Sequence, residues 1–166
     1  MATALCPGSF DPVTLGHLDI VERTARHFDR VIVAVIRNPQ KSNSLFTLEE
    51  RQQMLREVTA HLDNVEILFF KGLLVDFAKD HDAQAIVKGL RAVSDFDYEL
   101  QMAQMNQRLS GIDTFFISTS PQHSFLSSSL VREVGRFGGD VTAMVPSAVA
   151  KRLYERFEEL RAEEIP

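Results

Sequence analysis

The sequence of 166 residues contains one cysteine and no tryptophan. A single thiol, Cys6, excludes an intramolecular disulfide and is typical of a chain kept in a reducing compartment, so we expect a cytoplasmic location. Cys6 falls within an apolar run, which predicts a small buried side chain. The first residues lack a basic stretch followed by a long apolar one, so no signal peptide is expected.

Long apolar runs and an excess of positive charge are also lacking. No run is long enough to span a bilayer, which predicts that the chain has no membrane partner. The net charge of -5 argues against a nucleic-acid partner, because duplex binding needs a large basic surface. An anionic ligand would therefore have to be held by a local cluster of cations.

Two common nucleotide-binding motifs are missing as well. The sequence has no G-x-x-x-x-G-K-[ST] and no G-x-G-x-x-G, which excludes a P-loop kinase and a typical dinucleotide dehydrogenase. The five histidines are scattered and the cysteine stands alone, so the spacing predicts no metal site built from protein ligands.

What the sequence does contain is a regular alternation of short apolar runs with amphipathic helix patterns. Strands are predicted at residues 2–6, 30–36, 65–70, 85–87 and 114–118, and helices at 18–28, 48–61, 73–80, 95–110, 130–137 and from about 146. The alternation is typical of an α/β fold that is doubly wound, with a five-stranded parallel sheet and helices on both faces. We expect a single domain over residues 1–166, with the C-terminal helix from about 146.

Candidate ligand-binding residues follow the end of each predicted strand. Ser9 and His17 follow the first strand, Lys41 the second, Leu74 the third, Lys88 and Arg91 the fourth, and Ser127, Ser128 and Ser129 the fifth. Because the carboxyl ends of parallel strands share one sheet edge, these residues are expected to line one crevice. A cluster of cations and a helix start in an acidic protein predicts a polyphosphate ligand or two phosphorylated ligands.

These residues, and other residues at regular spacing, can also be explained by ordinary structural roles without a ligand. Lys41 alone is well explained as a solvated loop residue, and Ser127 to Ser129 as a helix cap. Met102 and Met105 fall at helical spacing with Tyr98 and are interpreted as packing side chains. The functional hypothesis therefore depends on the joint pattern.

Two stretches resemble known motifs of nucleotidyltransferases. Gly8-Ser9-Phe10-Asp11-Pro12 with Thr14-Leu15-Gly16-His17 resembles G-[ST]-F-D-P-x-T-x-G-H, and Ser127 to Arg132 resembles I-S-S-x-x-x-R, with Leu126 in place of isoleucine. Lys88-Gly89-Leu90-Arg91 and Asp95 to Glu99 resemble the bacterial members that adenylate 4′-phosphopantetheine. The resemblance extends from about Ala4 to the last helix.

This resemblance implies a Rossmann-like nucleotidyltransferase fold and a reaction. ATP and 4′-phosphopantetheine would give dephospho-coenzyme A and pyrophosphate, the penultimate step of coenzyme A synthesis. Magnesium would be bound mainly through the ATP phosphates. The resemblance also implies a homohexamer, in which the methionine-bearing helix is a candidate for the subunit interface.

Matching positions also imply site residues. Contacts to phosphopantetheine would come from Ser9, Lys41, Leu74 and Lys88, and contacts to ATP from Ser9, Phe10, His17, Gly89, Leu90, Arg91, Glu99, His123, Ser124, Phe125, Leu126, Ser127, Ser128 and Ser129. Ser9 replaces a threonine common in relatives, Lys88 an arginine, and His123 an aromatic residue. We hypothesise that His17 and Lys41 are catalytic, stabilising charge at the α-phosphorus, while Arg91 holds the leaving pyrophosphate.

Three other functions share part of this pattern. A related adenylyl- or cytidylyltransferase could use a nicotinate nucleotide or an alcohol phosphate, but the 88–91 and 95–99 stretches argue against it. A tRNA synthetase fragment shares a histidine motif of this type, but the length, the acidity and the lack of an anticodon module argue against it. A nucleotide-binding regulatory domain would require His17 and Lys41 to be incidental.

Overall fold

The computed structural model of the chain describes residues 1–37 and 43–164. The strands are β1 Thr3–Gly8, β2 Arg30–Ile36, β3 Val65–Phe70, β4 Ala85–Leu90 and β5 Asp113–Ser118. The helices are α1 Leu15–Ala25, α2 Leu48–Val58, α3 Leu74–Asp80, α4 Val93–Ser110, α5 Ser128–Arg136 and α6 Ser147–Glu163, with a short 3-10 turn at Pro121–His123. No helix in these two ranges is long and apolar enough to cross a membrane.

All five strands pair in parallel, in the order β3-β2-β1-β4-β5. Alternate residues of the central strands face opposite sides. Leu5, Ile32 and Ile86 pack with Ala78 of α3 on one face, while Cys6, Val33 and Val87 share the other core with residues of α1, α2, α5 and α6. The predicted doubly wound sheet with helices on both faces is confirmed, and the continuous β-branched runs are explained by two buried faces.

The chain reverses its direction of winding between β3 and β4, which places a switch point between β1 and β4. These two strands pair only at Ala4 with Ala85 and at Leu5 with Ile86. Beyond that point β1 carries Pro7, which has no N–H to donate to a neighbour. The carboxyl halves of the two strands are therefore left unpaired with each other, and a crevice opens there.

Two expectations about the elements were wrong. The strand predicted at 85–87 continues to Leu90, because Lys88, Gly89 and Leu90 pair in register with β5. Lys88 therefore lies inside β4 and not beyond its end.

The second difference concerns large apolar side chains that stay partly or mostly exposed. Tyr98, Met105 and Leu109 of α4 are 63%, 42% and 52% exposed, and Phe137, the last residue of the helix predicted over 130–137, is 80% exposed. Asn106 is the one buried residue of α4. Helical spacing identified an apolar stripe on α4 correctly, but it did not reveal that much of this stripe is exposed in the part of the chain that the structure describes.

Candidate active site

Two cavities lie at the carboxyl ends of β1 and β4. The first, of about 290 Å³, is lined on the α1 side by Phe10, Gly16, His17 and Ile20 and on the other by β4 and the loop before α5. The second, of about 390 Å³, opens towards α3 and α4. They share Pro7, Gly8, Lys88 and Glu99, so the two cavities meet at the switch point.

The border between the cavities carries an ion pair. The Nζ of Lys88 lies 3.4 Å from Oε1 of Glu99, and both side chains are partly buried. Lys88 reaches this place from within β4, while Glu99 comes from the second turn of α4. A cation at the meeting point of two cavities can be shared between anionic groups bound on either side.

His17 lies in the first turn of α1, where Thr14 caps the helix. The Thr14 side chain accepts from the backbone N–H of His17 at 3.2 Å, and the Thr14 backbone N–H donates to Nδ1 of His17 at 3.0 Å. Because Nδ1 accepts, the proton of the neutral imidazole is on Nε2. The same backbone contact that caps the helix therefore fixes the tautomer of the ring.

Burial in the cavity wall keeps His17 neutral. Burial, assisted by the nearby charges of Arg91 and Lys88, lowers the pKa of His17 to about 4. The ring also lies edge-on to Phe10, with centroids 5.0 Å apart. His17 can thus donate a hydrogen bond from Nε2 near neutral pH, without carrying a positive charge.

Arg91 follows β4 directly and connects two walls of the first cavity. Its Nε donates to Oδ2 of Asp95 at 3.1 Å, and its Nη1 donates to the carbonyl of Leu126 at 2.8 Å. The carbonyl of Leu90 accepts from both the N–H and the hydroxyl of Thr119, at 2.9 and 2.8 Å. The loop between β5 and α5 is therefore tied to the end of β4.

The N-terminus of α5 closes the first cavity. The Ser127 hydroxyl caps the helix by accepting from the N–H of Leu130 at 3.1 Å, and the Ser128 hydroxyl donates to the carbonyl of Pro12 at 2.8 Å. Ser127 and Ser128 both line the cavity. The first N–H groups of a nine-residue helix, together with its dipole, favour an anion there.

The second cavity is mainly apolar. Its lining includes Ser9, Ile36, Phe70, Leu73, Leu74, Met102 and Met105. Besides Ser9, Tyr98 and the shared Lys88–Glu99 pair, its polar side chains are Asn106, which is buried, and Thr114, whose buried hydroxyl has no hydrogen-bond partner among the described residues. An elongated ligand with apolar stretches and a few amide groups would match this lining.

Most of the residues predicted for the site lie on these two cavities. The first holds Phe10, His17, Lys88, Gly89, Arg91, Glu99, His123, Leu126, Ser127 and Ser128, and the second holds Ser9, Leu74, Lys88 and Glu99. Leu90, Ser124, Phe125 and Ser129 line neither cavity. Lys41 lies outside the described residues, so its predicted place remains a prediction.

Three residues that shape the loop between β1 and α1 received no role from the sequence. The carboxylate of Asp11 accepts from the backbone N–H groups of Leu45 and Phe46, both at 2.9 Å. Nη1 of Arg132 donates to the Asp11 carbonyl at 2.6 Å, and Nη1 of Arg51 donates to the Ser9 carbonyl at 2.8 Å.

The described residues offer neither a cysteine nucleophile nor a metal site built from side chains. Burial raises the pKa of the Cys6 thiol to about 12, so it is not a nucleophile near neutral pH. Within residues 1–37 and 43–164, no group of three or more His, Cys, Asp or Glu side chains could hold a metal ion. A magnesium ion that is bound through substrate phosphates does not need such a group.

The fold, the switch-point crevice and the capped histidine together define a nucleotidyltransferase, and a family model described as cytidylyltransferase-like matches residues 5–134. A phosphopantetheine adenylyltransferase of Thermobifida fusca (strain YX) is 57% identical over 160 residues, which cover 96% of this chain and 97% of the relative. One of Corynebacterium glutamicum (strain R) is 53% identical over 154 residues, covering 93% and 96%. The chain belongs to the phosphopantetheine adenylyltransferase family.

Solved structures of lower identity share the fold. A Vibrio parahaemolyticus structure named for nicotinate-nucleotide adenylyltransferase superposes with a TM-score of 0.71 at 16% identity and covers 96% of this chain and 97% of its own. A lipopolysaccharide core biosynthesis protein from Thermoplasma volcanium GSS1 gives a TM-score of 0.53 at 20% identity, covering 72% and 97%. At these identities the likeness establishes the architecture alone.

Proposed function

We propose that this chain transfers the adenylyl group of ATP to 4′-phosphopantetheine, giving dephospho-coenzyme A and pyrophosphate. The observation that carries the proposal is the pair of cavities that meet at Gly8 and Lys88, with the His17 ring in the wall of one of them. Two substrates must bring two phosphates together, and this geometry offers two adjoining sites with a cation at their border.

We assign ATP to the first cavity and phosphopantetheine to the second. The first cavity combines a helix N-terminus with Arg91, which are groups that bind phosphates. The second cavity has a mainly apolar lining. It also carries Asn106 and the unpaired hydroxyl of Thr114, which can form hydrogen bonds with the amides of a pantetheine arm. Ser9 and Lys88 lie where the phosphate of that arm would meet the ATP α-phosphate.

The proposed mechanism requires that the two phosphates are positioned and that the charge developing at the α-phosphate is stabilised. A phosphate oxygen of phosphopantetheine, already ionised near neutral pH, attacks the ATP α-phosphorus in line, so no general base is needed. The new oxygen–phosphorus bond forms as the bond from the α-phosphorus to the leaving pyrophosphate oxygen breaks. The neutral His17 donates from Nε2 to an α-phosphate oxygen, where negative charge develops. Lys41 remains the predicted second catalytic residue.

The proposal also covers how the leaving pyrophosphate is held, the magnesium ion, the assembly and the location of the protein. Arg91 and the N–H groups at the start of α5 hold the β- and γ-phosphates. Magnesium would arrive with ATP, bound mainly through its phosphates, and would neutralise part of their charge. A homohexameric assembly and a cytoplasmic location stay predictions. The apolar stripe exposed on α4 supports the former and the single buried cysteine the latter.

Release of pyrophosphate tests the reaction. The protein is mixed with ATP, magnesium and 4′-phosphopantetheine, and pyrophosphate is measured by a coupled assay. We expect pyrophosphate and dephospho-coenzyme A in equal amounts. A parallel reaction with nicotinate mononucleotide is the control, and pyrophosphate from that reaction with none from phosphopantetheine would reject the proposal.

A further inference from the structure

Arg51 is a charged residue on the apolar side of α2. It lies one helical turn before Met54 and Leu55, which are both fully buried, and it is itself only 6% exposed. Its Nη1 donates to the Ser9 carbonyl at 2.8 Å and to the Ile36 carbonyl at 3.2 Å. One guanidinium nitrogen therefore joins the end of β2 to the loop after β1.

Burying this side chain is costly. Among the described residues, Nε of Arg51 has no hydrogen-bond partner although it is buried. Burial lowers the pKa of the guanidinium, and the charges of Asp11 and Glu49 oppose this effect only in part. A leucine at this position would pack against Met54 and Leu55 without that penalty. The cost indicates that the contact with the two carbonyls is what the arginine provides.

The loop that Arg51 holds has an uncommon backbone conformation. Phe10, the residue after Ser9, has a φ of 51°, in the left-handed region where a bulky side chain is an outlier. Such conformations persist where the surrounding contacts determine them. Here the Phe10 ring is 5% exposed, and a Cβ added at Gly8 would lie 3.0 Å from its Cε2.

The Phe10 ring connects this backbone to the candidate catalytic residue. Its centroid lies 5.0 Å from that of the His17 ring, in an edge-on arrangement. A rotation of the Ser9–Phe10 peptide would therefore move two things at once: the Ser9 side chain at the second cavity and the ring that packs against His17. The loop is held from the other side by Arg132 at the Asp11 carbonyl and by Ser128 at the Pro12 carbonyl.

We infer that Arg51 is a positioning residue for adenylyl transfer. By holding the Ser9 carbonyl, it keeps Phe10 in its left-handed conformation and thereby sets the His17 ring and the Ser9 side chain relative to each other. The expected effect of Arg51 on catalysis rests on the proposed function. Its expected effect on the His17 ring rests only on the contacts of Phe10 and His17.

The test compares Arg51→Met and Arg51→Lys with a matched control. Methionine fills the same space without a donor, whereas lysine keeps the charge and can reach one carbonyl. The control is Arg152→Gln, which removes the 2.7 Å contact of α6 with Glu57 of α2 and leaves the loop untouched. All variants are checked for folding by circular dichroism and thermal unfolding.

We expect Arg51→Met to lower kcat by about tenfold to a hundredfold per folded molecule, because small misplacements of reacting groups are costly. Its KM for ATP should stay within about threefold, since Arg91 and the α5 N-terminus are not displaced. Arg51→Lys should fall between the wild type and Arg51→Met. The ¹⁵N resonances of the His17 ring should shift in both variants and stay unchanged in Arg152→Gln.

Two results would overturn the inference. One is a kcat of Arg51→Met that equals the wild-type value once corrected for the folded fraction. The other is a His17 resonance that does not move in either Arg51 variant. A wild-type protein that releases no pyrophosphate would instead reject the proposed function, while the His17 resonances would still decide whether Arg51 positions the ring.

Discussion

At the scale of single residues, His17 illustrates how a helix cap can also orient a ring in the candidate active site. Thr14 would cap α1 with any residue at position 17, but only a side chain with an acceptor can also receive the Thr14 N–H. The histidine does so with Nδ1 and keeps Nε2 as a donor. Its neutral state follows from burial and from neighbouring cations. Such a group can stabilise charge at phosphorus without proton transfer.

Replacing His17 by alanine should therefore affect turnover much more than binding. We expect kcat to fall by about a hundredfold to a thousandfold, which is the usual effect of losing one donor to a developing anion. The dissociation constant of ATP, measured by calorimetry, should change only a few-fold. His27→Ala, at an exposed position after α1, is the control. A folded His17→Ala protein with wild-type turnover would remove His17 from the mechanism.

The low pKa of His17 also makes a prediction about stability. In the unfolded chain His17 titrates near 6.5, whereas in the folded protein its pKa is lowered to about 4. Between these values the unfolded state binds the extra proton, so the contribution to stability is complete above pH 6.5 and is lost as the pH falls towards 4. Lowering the pH from 7.5 to 5 should therefore reduce the free energy of unfolding by about 1 to 2 kcal/mol through His17 alone.

Urea unfolding of the wild type and of His17→Gln at the two pH values measures this cost. The wild type should lose more free energy of unfolding on acidification than the glutamine variant, by the amount given above. His27→Gln should lose as much as the wild type. Equal pH dependence of the wild type and His17→Gln would show that the ring is already accessible to protons in the folded state.

At the scale of elements, the start of α5 combines a cap with a candidate phosphate site. Alanine at Ser127 removes the acceptor for the Leu130 N–H and should lower the free energy of unfolding by about 1 kcal/mol. Aspartate at the same position keeps a cap acceptor and adds a negative charge. Ser127→Asp should therefore unfold like the wild type but bind ATP at least tenfold more weakly, because its charge faces the phosphates.

Thermal unfolding and ATP calorimetry on the two Ser127 variants separate the two roles. Ser147 offers a control at another helix start, since Ser147→Ala removes an exposed hydroxyl of α6 that lines neither cavity and should leave ATP binding within about twofold of the wild type. If Ser127→Asp binds ATP as tightly as the wild type, the α5 N-terminus is a structural cap and not a phosphate site.

The elements also indicate what sequence alone can and cannot predict. β2 begins and ends where its apolar run does, because both of its faces are buried. β3 also matches its predicted bounds, although it lies at the sheet edge and exposes Glu66 and Phe69. β4 was predicted too short, since Lys88 and Gly89 belong to a strand only through their pairing with β5, which is a non-local contact. The helix cap at Ser127 was predicted well because a cap depends on neighbours in sequence.

Arg51 lies at a position where the sequence pattern indicates burial but not the partner. It falls on the same helical face as Leu55 and Val58, and a charge within an apolar stripe predicts a buried partner. That the partner is a carbonyl of the loop after β1 could not be predicted, because it depends on how α2 is docked. The motif residues of that loop were identifiable from their resemblance, whereas the contacts that hold them were not.

At the scale of the whole molecule, the distribution of exposed apolar residues is uneven. Large apolar side chains of α4 are exposed along one stripe that includes Tyr98, Met105 and Leu109, while the central strands are buried on both faces. A contiguous apolar surface on a helix that also lines the second cavity indicates a place where further chains could pack. The homohexamer implied by the family resemblance would bury such a surface.

Replacing Leu109 by glutamate tests this assembly. Leu109 is 52% exposed and lines neither cavity, so the change should alter association and not the site itself. Sedimentation should give the wild type a mass of about six times 18.7 kDa, and Leu109→Glu a smaller one, because a buried unpaired carboxylate is costly. Lys151→Glu, at an exposed polar position of α6, should keep the wild-type mass. A wild type that sediments as a single chain, or a Leu109→Glu protein that stays hexameric, would mean that α4 is not the assembly surface.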